Sequence, residues 1–303
     1  MTGAIKIWLL TTILSNGFFL YLPGAAQTSS AYTNEIKTWD AQRVKELKSD
    51  NGWLNLAGLY WLEPGKNSFG TGKQNKLVFP KNSIDEMAGY FEWRDGNVAL
   101  VSTTREPILV NGKPVKESVI FYQDSAASTQ PVVVYKNLKW SVIRREDKTG
   151  IRLRDLASPA IVAFKGIERF KMDTKWRIKA ILQKPLLQQM IAITNVLGQT
   201  TQQPSPGKLL FTINKKRYSL DVLEEGDELF IIFGDATSGL STYPAGRFLY
   251  VQKPGPDGIT IIDFNKAHNP PCAFTPFATC PLPPEQNRLP ISVTAGEKNY
   301  GNH

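Results

Sequence analysis

A proline-rich segment at residues 263–284 constrains the fold of this chain more than any other feature. It contains both cysteines of the protein, Cys272 and Cys280, one of the two histidines, His268, and six of the twenty prolines. Each proline fixes the backbone φ angle and removes a hydrogen-bond donor, so no regular helix or central strand can continue through the segment. Its buried backbone groups must be satisfied by side chains and neighbouring elements. Both binding sites and rigid structural plugs are built in this way.

The first 26 residues have the pattern of a cleaved export signal. Lys6 supplies a positive charge, residues 7–22 are almost wholly apolar, and Gly24-Ala25-Ala26 provides the small residues that a signal peptidase reads. The alternative, a membrane anchor, needs about 18 to 20 uninterrupted apolar residues, and Ser15-Asn16-Gly17 interrupts this run. We predict cleavage after Ala26, a periplasmic or secreted protein, and no transmembrane segment after cleavage.

The charge pattern argues against a nucleic-acid partner. The formal net charge is +9, but the basic residues are scattered and are usually followed by acidic ones. Such a pattern is typical of a solvated surface rather than of a nucleic-acid interface. The chain also has no phosphate-binding loop, dinucleotide fingerprint or His-Glu-x-x-His motif. We therefore expect no cofactor and no nucleic-acid partner. The partner that we predict is an unknown small-molecule or envelope ligand.

The two cysteines predict a disulfide. Cys272 and Cys280 lie eight residues apart, a separation that a turn can close to the required Cα distance, and an exported protein enters an oxidising compartment. Two alternatives stay open. One is a pair of buried free thiols. The other is a metal site made of both cysteines, His268 and a carboxylate, in which only the His268 to Cys272 spacing fits the usual zinc pattern; we expect no metal.

The remaining patterns predict an all-β fold. One amphipathic helix is predicted at residues 34–49, followed by a stop at Asn51-Gly52. Beyond it, turn signals such as Asn111-Gly112 separate short runs rich in Val, Ile, Phe and Tyr. The runs include residues 98–101, 132–135, 139–144, 151–154, 176–182, 190–195, 209–213, 229–233, 248–252, 259–263 and 291–294. A dozen or more short strands with one N-terminal helix predict an antiparallel sandwich or barrel.

The chain divides into four predicted regions. They are a signal peptide at 1–26, a helical region at 27–52, a β-sandwich at 53–158 and a second β unit at 159–303. In the sandwich, the order of the turn at 64–70, the strands and then Val110-Asn111-Gly112 faintly resembles a forkhead-associated (FHA) domain, a β-sandwich that binds phosphothreonine. The phosphate-gripping Arg and the Ser-x-x-His of that family have no clear match here. The resemblance therefore implies the sandwich and not the phosphopeptide function.

Longer motifs run along the whole chain after the signal. They are Trp53-Leu-Asn-Leu-Ala-Gly-Leu-Tyr-Trp-Leu62, Arg152-Leu-Arg-Asp155, Phe233-Gly-Asp-Ala-Thr-Ser-Gly239, Thr242-Tyr-Pro-Ala-Gly-Arg-Phe-Leu249, Asp263-Phe-Asn-Lys-Ala-His-Asn-Pro-Pro-Cys272, Thr279-Cys-Pro-Leu-Pro-Pro284, Asn287-Arg-Leu289 and Ala295-Gly-Glu-Lys298. Together they resemble the domain-of-unknown-function family DUF1684. An aromatic residue is usual in that family where His268 stands, which argues against His268 as an obligatory catalyst or ligand. The resemblance implies relatedness without implying a reaction.

Polar side chains at two strand ends give the candidate site. One set follows the apolar strand 229–233 and the other ends the strand at 259–263, and the hairpin between them returns the chain to its starting point. We therefore expect both loops to line one polar cleft, with Arg247 contacting Asp235 or Asp263 as a buried brace or an anion receptor. The ligand-binding candidates are Thr237, Ser238, Tyr243, Arg247, Asn265, Asn269, Asn287 and Arg288, and the catalytic candidates are Asp235, Asp263 and Glu297.

Two functions fit these residues. The first is a non-catalytic, β-rich envelope protein that binds a small or polymeric ligand at its C-terminal loops. The second is a hydrolase that uses the carboxylates of the same loops as a general acid/base pair. The chain has no Gly-x-Ser-x-Gly elbow, and a Ser-His-Asp triad would have to use His268, because the only other histidine is His303.

Overall fold

The computed structural model describes residues 24–121 and 131–301, and it confirms an all-β protein with one long helix near its N-terminus. Helix α1 spans Gly24–Lys48, so it begins ten residues before the predicted start and ends one residue before the predicted end. Gly52 follows it, and a Cβ there would lie 2.2 Å from the carbonyl oxygen of Leu47. The predicted signal peptide lies outside the described residues, except for its last three, which begin α1.

Eleven strands form the first part of the β structure. They are β1 (Leu56–Trp61), β2 (Gly65–Gly70), β3 (Leu77–Val78), β4 (Gly89–Arg94), β5 (Asn97–Ser102), β6 (Ile108–Val110), β7 (Lys113–Val115), β8 (Glu117–Phe121), β9 (Val133–Tyr135), β10 (Leu138–Arg145) and β11 (Lys148–Asp155). One sheet has the order β1-β11-β10-β9-β6-β7 and the other the order β3-β2-β4-β5-β8. Their inner faces share a core that includes Phe69, Phe91 and Trp140, so these strands form a sandwich.

Nine strands follow the short helix α2 (Pro159–Ala163). They are β12 (Arg177–Gln183), β13 (Gln189–Thr194), β14 (Thr200–Ser205), β15 (Gly207–Ile213), β16 (Lys216–Glu225), β17 (Glu228–Asp235), β18 (Arg247–Gln252), β19 (Ile259–Asp263) and β20 (Arg288–Leu289). The main sheet has the order β18-β17-β16-β15-β12-β19, with β20 added to β17, and β13 pairs with β14. The hydroxyl of Thr260, on β19, donates to the carbonyl of Gln252, on β18, at 2.7 Å. The two edge strands therefore meet, and the sheet is nearly a closed barrel.

The two sets of strands have separate cores. The first core takes its residues from Leu62 to Leu153 and the second from Trp176 to Ala295. Among the described strands, no strand of one set pairs with a strand of the other. The predicted division at residue 158 falls between β11 and β12 and stays a prediction. None of the described helices is long and apolar enough to span a membrane.

One predicted strand, residues 291–294, is wrong. The carbonyl of Ile291 accepts from the backbone N–H of Ala236, but the backbone of Val293 bonds to side chains and the segment forms no strand. The N–H of Val293 donates to a carboxylate oxygen of Asp235 at 3.2 Å, and the carbonyl of Val293 accepts from the guanidinium of Arg247 at 3.0 Å. The apolar pattern of the sequence does not show that a buried ion pair, rather than a neighbouring strand, satisfies the backbone groups of Val293.

Candidate functional site

A buried ion pair joins the end of β17 to the start of β18. Nη2 of Arg247 donates to Oδ2 of Asp235 at 2.8 Å, and both side chains are almost completely buried. Arg247 also donates to the carbonyls of Val293, Ala295 and Glu297. Burial lowers the pKa of Arg247, and the charge of Asp235 opposes that effect. The predicted contact of Arg247 with Asp235 is confirmed, and its many protein partners make it a brace.

The other oxygen of Asp235 is also fully occupied. Oδ1 accepts from the backbone N–H and the hydroxyl of Thr237, at 2.8 Å and 2.6 Å, and from the N–H of Val293. The hydroxyl of Ser238 accepts from the N–H of Asp235 at 3.2 Å. The predicted ligand-binding residues of this loop are therefore engaged in closing the loop on itself, as Asp, Thr and Ser often are.

Asp263 forms a second buried cluster, which attaches helix α1 to the barrel. The hydroxyl of Tyr32, on α1, lies 2.8 Å and 2.9 Å from the two oxygens of Asp263. The amide of Asn265 donates to both the Tyr32 hydroxyl and Asp263. Burial and the carboxylate of Asp263 raise the pKa of Tyr32, so the phenol stays protonated and keeps donating.

Glu297 forms a third buried cluster, which includes Arg43 of the same helix α1. Its Oε1 accepts from Nε of Arg43 at 3.3 Å, and its Oε2 accepts from the N–H of Asn269 at 2.7 Å. Arg43 donates in addition to the carbonyl of Asn269. Burial raises the pKa of Glu297, while Arg43, the Asn269 N–H and Arg169 lower it. Each oxygen of Asp235, Asp263 and Glu297 thus already accepts a hydrogen bond from the protein.

Asn287 and Arg288 are positioned by the same kind of contact. The amide of Asn287 accepts from the N–H of Asp221 at 2.7 Å and donates to the carbonyls of Asp221 and Ile232. Arg288 is exposed, and its backbone pairs with Gly234 in the parallel bridge between β17 and β20. The two predicted loops are therefore in contact, and the polar side chains at this contact hold the structure together.

A large groove lies beside helix α1. It runs between α1, strands β18 and β19, the proline-rich segment and the β10–β11 hairpin of the sandwich, and its volume is about 1080 Å³. Its aromatic lining consists of Trp39, Trp53, Phe230, Phe248, Tyr250 and His268. Its charged lining consists of Glu35, Arg43, Glu46, Arg145, Arg152, Arg177, Glu225, Glu228, Lys253, Asp263 and Lys266.

The aromatic side chains form a continuous floor. The ring of Tyr250 stacks on Phe230, with centroids 5.0 Å apart, and on His268, with centroids 5.9 Å apart and an interplanar angle of 11°. The ring of Trp39, on α1, also packs against His268, with centroids 5.8 Å apart. Phe248 and Tyr250 lie two residues apart on β18, and Phe230 is the cross-strand partner of Tyr250 on β17. The strand period of two places these rings on one face.

His268 belongs to this floor as an uncharged ring. Its Nδ1 lies 3.1 Å from the carbonyl oxygen of Lys266, which can only accept, so Nδ1 carries the proton. Burial, followed by the charge of Arg43, lowers the pKa of His268 to about 3. A neutral imidazole stacked on Tyr250 takes the place of an aromatic side chain, consistent with what the family resemblance implies.

The predicted disulfide is not formed in the structure, in which Cys272 and Cys280 are both free. The N–H of Cys272 donates to Sγ of Cys280 at 3.1 Å, and the N–H of Cys280 donates to Sγ of Cys272 at 3.3 Å. The hydrogen bond between the thiols lowers the pKa of Cys272 and raises that of Cys280. Among residues 24–121 and 131–301, no group of three or more His, Cys, Asp and Glu side chains is arranged to hold a metal ion.

Only part of the predicted site lines the groove. Asp263 and Asn269 line it, and Asn265 supports Asp263. The other candidates, Asp235, Thr237, Ser238, Tyr243, Arg247, Asn287, Arg288 and Glu297, are not part of its lining. Sequence reasoning missed Trp39, Trp53, Arg145, Arg152 and Tyr250. For Tyr250 the alternation of aromatic residues along β18 was a usable signal. The others come from distant parts of the chain. Trp53 and Arg152 begin the motifs at residues 53–62 and 152–155, but no spacing along the sequence connects those motifs with each other or with Trp39 and Arg145.

The molecule is therefore an all-β protein with an aromatic groove beside a helix. Residues 162–298 match the family model described as "Protein of unknown function (DUF1684)", which confirms the resemblance seen in the C-terminal motifs. The motifs at residues 53–62 and 152–155 lie outside the matched region. A search of curated proteins gave no match.

Two solved structures are similar to parts of the chain. An uncharacterized protein of Haloarcula marismortui, solved by NMR, is 27% identical over 47% of this chain and 80% of its own, with a TM-score of 0.39. A structure from a study of phosphothreonine-dependent FHA domain interactions is 17% identical over 32% of this chain and 92% of its own, with a TM-score of 0.22. The second is a faint likeness, and no function is taken from either.

The buried ion pair gives the first prediction. Asp235→Asn removes one charge of the pair and leaves the guanidinium of Arg247 buried without its counter-charge, so we expect the free energy of unfolding to fall by about 3–5 kcal/mol. Urea denaturation followed by circular dichroism measures it. The control is Glu224→Gln, which breaks the exposed pair with Lys253 and should have a much smaller effect. Equal losses in the two variants would contradict the role of Arg247 as a brace.

The depressed pKa of His268 gives the second prediction. The unfolded chain binds a proton to this imidazole below about pH 6.5, whereas the folded protein does so only near pH 3. Stability is therefore lost as the pH falls, by about 1.5 kcal/mol between pH 6.5 and pH 5. His268→Phe should remove that part of the slope. Unfolding free energies of both proteins, measured at several pH values, test it, and parallel curves would show that His268 is already charged or solvated in the folded state.

Proposed function

We propose that the protein is a non-catalytic binding protein whose ligand occupies the groove beside α1. The observation that carries this proposal is the floor of stacked rings formed by Phe230, Tyr250, His268 and Trp39. Ligand sites in proteins are concave and lined mostly by aromatic and apolar side chains, with a few polar groups at fixed positions. The groove combines both features, because charged side chains surround the aromatic floor.

The size of the groove indicates the kind of ligand. Its volume of about 1080 Å³ is slightly above the usual range for small-molecule sites, roughly 300–1,000 Å³. A ligand with several rings, or a segment of an envelope polymer with flat ring faces, would fill it. The rings of Phe230, Tyr250 and His268 stack on one another, and the parts of them that line the groove give the apolar portions of such a ligand an aromatic surface to pack against.

The carboxylates argue for binding rather than hydrolysis. A general acid or base needs an oxygen within hydrogen-bond reach of the substrate. The three catalytic candidates use both of their oxygens in contacts with the protein; in Asp263, Oδ1 accepts from Asn265 and Oδ2 from the Tyr32 hydroxyl. Asp263 is also the only one of the three that lines the groove. No observation in the described residues favours the carboxylate-dependent hydrolase.

We also propose that the protein is exported to the periplasm or beyond the cell. The support comes from the apolar run ending in Gly24-Ala25-Ala26. An envelope location would give the groove access to envelope polymers as ligands.

A binding titration tests the groove. Trp39 and Trp53 line it, so their fluorescence should change when a panel of ring-containing compounds, neutral and charged oligosaccharides included, is titrated into the protein. For the compound that binds, Tyr250→Ala should weaken the affinity about tenfold, since it removes the central ring of the floor. Tyr90→Ala, in the sandwich and away from the groove, is the matched control. Binding that both variants retain would place the ligand elsewhere.

Export is tested on protein isolated from its native host. Intact-mass measurement and N-terminal sequencing should find a mature chain that begins at Gln27, in the periplasmic or secreted fraction. Recovery of a chain that still carries residues 1–26, from the cytoplasmic fraction, would refute export.

A further inference from the structure

One end of the groove carries two arginines from the sandwich. Arg145 lies at the end of β10 and Arg152 on β11, and both line the groove. The cross-strand partner of Arg152 is Ser141, four residues before Arg145. Because side chains alternate between the two faces of a strand, Arg145 and Arg152 point to the same face. Arg144 points to the opposite face and is not part of the groove lining.

In the part of the chain that the structure describes, neither arginine is paired with a carboxylate. Two other arginines of the groove have carboxylate partners, Arg43 with Glu297 at 3.3 Å and Arg177 with Glu35 at 3.9 Å. Among the described residues, no carboxylate oxygen lies within 4.0 Å of the guanidinium nitrogens of Arg145 or Arg152. This end of the groove therefore carries an unbalanced positive charge.

Arg152 is also short of hydrogen-bond partners. Its Nε is buried and has no partner in the part of the chain that the structure describes, and its guanidinium lies 5.7 Å from the centre of the Trp53 ring. Burial, together with the charges of Arg145 and Arg154, lowers the pKa of Arg152 to about 10, so it stays protonated at neutral pH. A buried donor without an acceptor is unfavourable, and an anion in the groove would supply both the acceptor and the counter-charge.

Arg145 is held in place by the proline-rich segment. Its Nε donates to the hydroxyl oxygen of Thr279 at 3.3 Å, and its Nη1 donates to the carbonyl of Arg144 at 2.9 Å. Thr279 also lines the groove, and its hydroxyl hydrogen is a further donor for a bound anion. Two guanidinium groups and a hydroxyl thus converge on one end of the cavity, where the sandwich meets the barrel.

We propose that Arg145, Arg152 and Thr279 form an anion subsite, which binds a phosphate or carboxylate group of the ligand whose rings lie on the aromatic floor. This inference rests on the proposed function and adds the chemical class of the ligand, a ring compound with an oxyanion group. Guanidinium groups suit such anions because their parallel N–H donors match two oxygens of one group. The groove then has two parts, an apolar floor for rings and a basic end for charge.

The test uses the full mature chain and inorganic phosphate as the probe. Thermal unfolding is recorded in increasing phosphate, with sodium chloride added to keep the ionic strength constant. We expect the melting temperature of the wild-type protein to rise with phosphate, and the apparent dissociation constant to increase at least tenfold in Arg152→Gln and in Arg145→Gln. Arg144→Gln, which changes the neighbouring residue on the opposite face, is the matched control and should behave as wild type.

Arg152→Gln has a second expected effect, which a purely structural role would not produce. In chloride alone its melting temperature should equal or exceed that of the wild type, because the substitution removes a partly buried cation that no carboxylate of the described residues neutralises. If Arg152 only braced the fold, the variant would melt earlier in every buffer, and that result overturns the proposal. Arg145→Gln changes an exposed side chain, so it keeps the test decisive if Arg152→Gln does not fold.

Repeating the titration with citrate distinguishes carboxylate from phosphate ligands. The proposed subsite and the proposed function are contradicted by different results. If a neutral ring compound binds in a way that depends on Tyr250, and neither anion shows an effect that depends on the arginines, the proposed function is retained and the subsite is overturned. Anion binding that depends on Arg145 and Arg152, without any ring compound bound, would retain the subsite and overturn the proposed function. A phosphate effect of equal size in all three glutamine variants would show nonspecific binding and overturn the subsite.

Discussion

The buried ion pair between Arg247 and Asp235 holds the last part of the chain in place. Arg247 donates to three carbonyls between residues 293 and 297, so a segment without strand structure has a fixed path. That path places Glu297, which accepts from Arg43 of helix α1 and from the backbone of Asn269. Arg43 and Tyr32 attach α1 to the barrel, and α1 contributes Trp39 to the groove. The shape of the groove thus depends on an ion pair outside it.

The charged side chains of the C-terminal part divide into two groups. Asp235, Asp263 and Glu297 are buried, and their oxygens are bound by donors of the protein, which is what a buried carboxylate requires to remain in the fold. Arg145 and Arg152, from the sandwich, have no such counter-charge among the described residues. The first group stabilises the structure, and the second forms the anion subsite that we propose. The carboxylates predicted as catalytic candidates therefore have structural roles, whereas the proposed subsite uses arginines of the sandwich.

Much of the architecture could be predicted because it depends on local signals. Turn residues between short apolar runs indicated an all-β chain, and the end of helix α1 followed from Asn51-Gly52, since Gly52 is needed where the backbone approaches Leu47 closely. The contact between Arg247 and Asp235 followed from the hairpin that separates the two loops. The predictions failed where side-chain contacts decided the structure. The predicted strand at residues 291–294 is absent, because its backbone bonds to that ion pair. The predicted disulfide is absent, and the sulfurs of the two cysteines accept backbone N–H groups instead.

The sequence by itself determined the fold class, the DUF1684 resemblance and the proline-rich segment, because each of these depends on residues that are close together in the chain. Only the tertiary structure decided where the groove lies and what lines it. Its lining runs from Glu35 of α1 through Arg145 and Arg152 of the sandwich to Pro281 of the proline-rich segment. These residues come together because two separate β cores and a helix pack against one another. Contacts between elements so far apart in the chain leave no periodic pattern in one sequence.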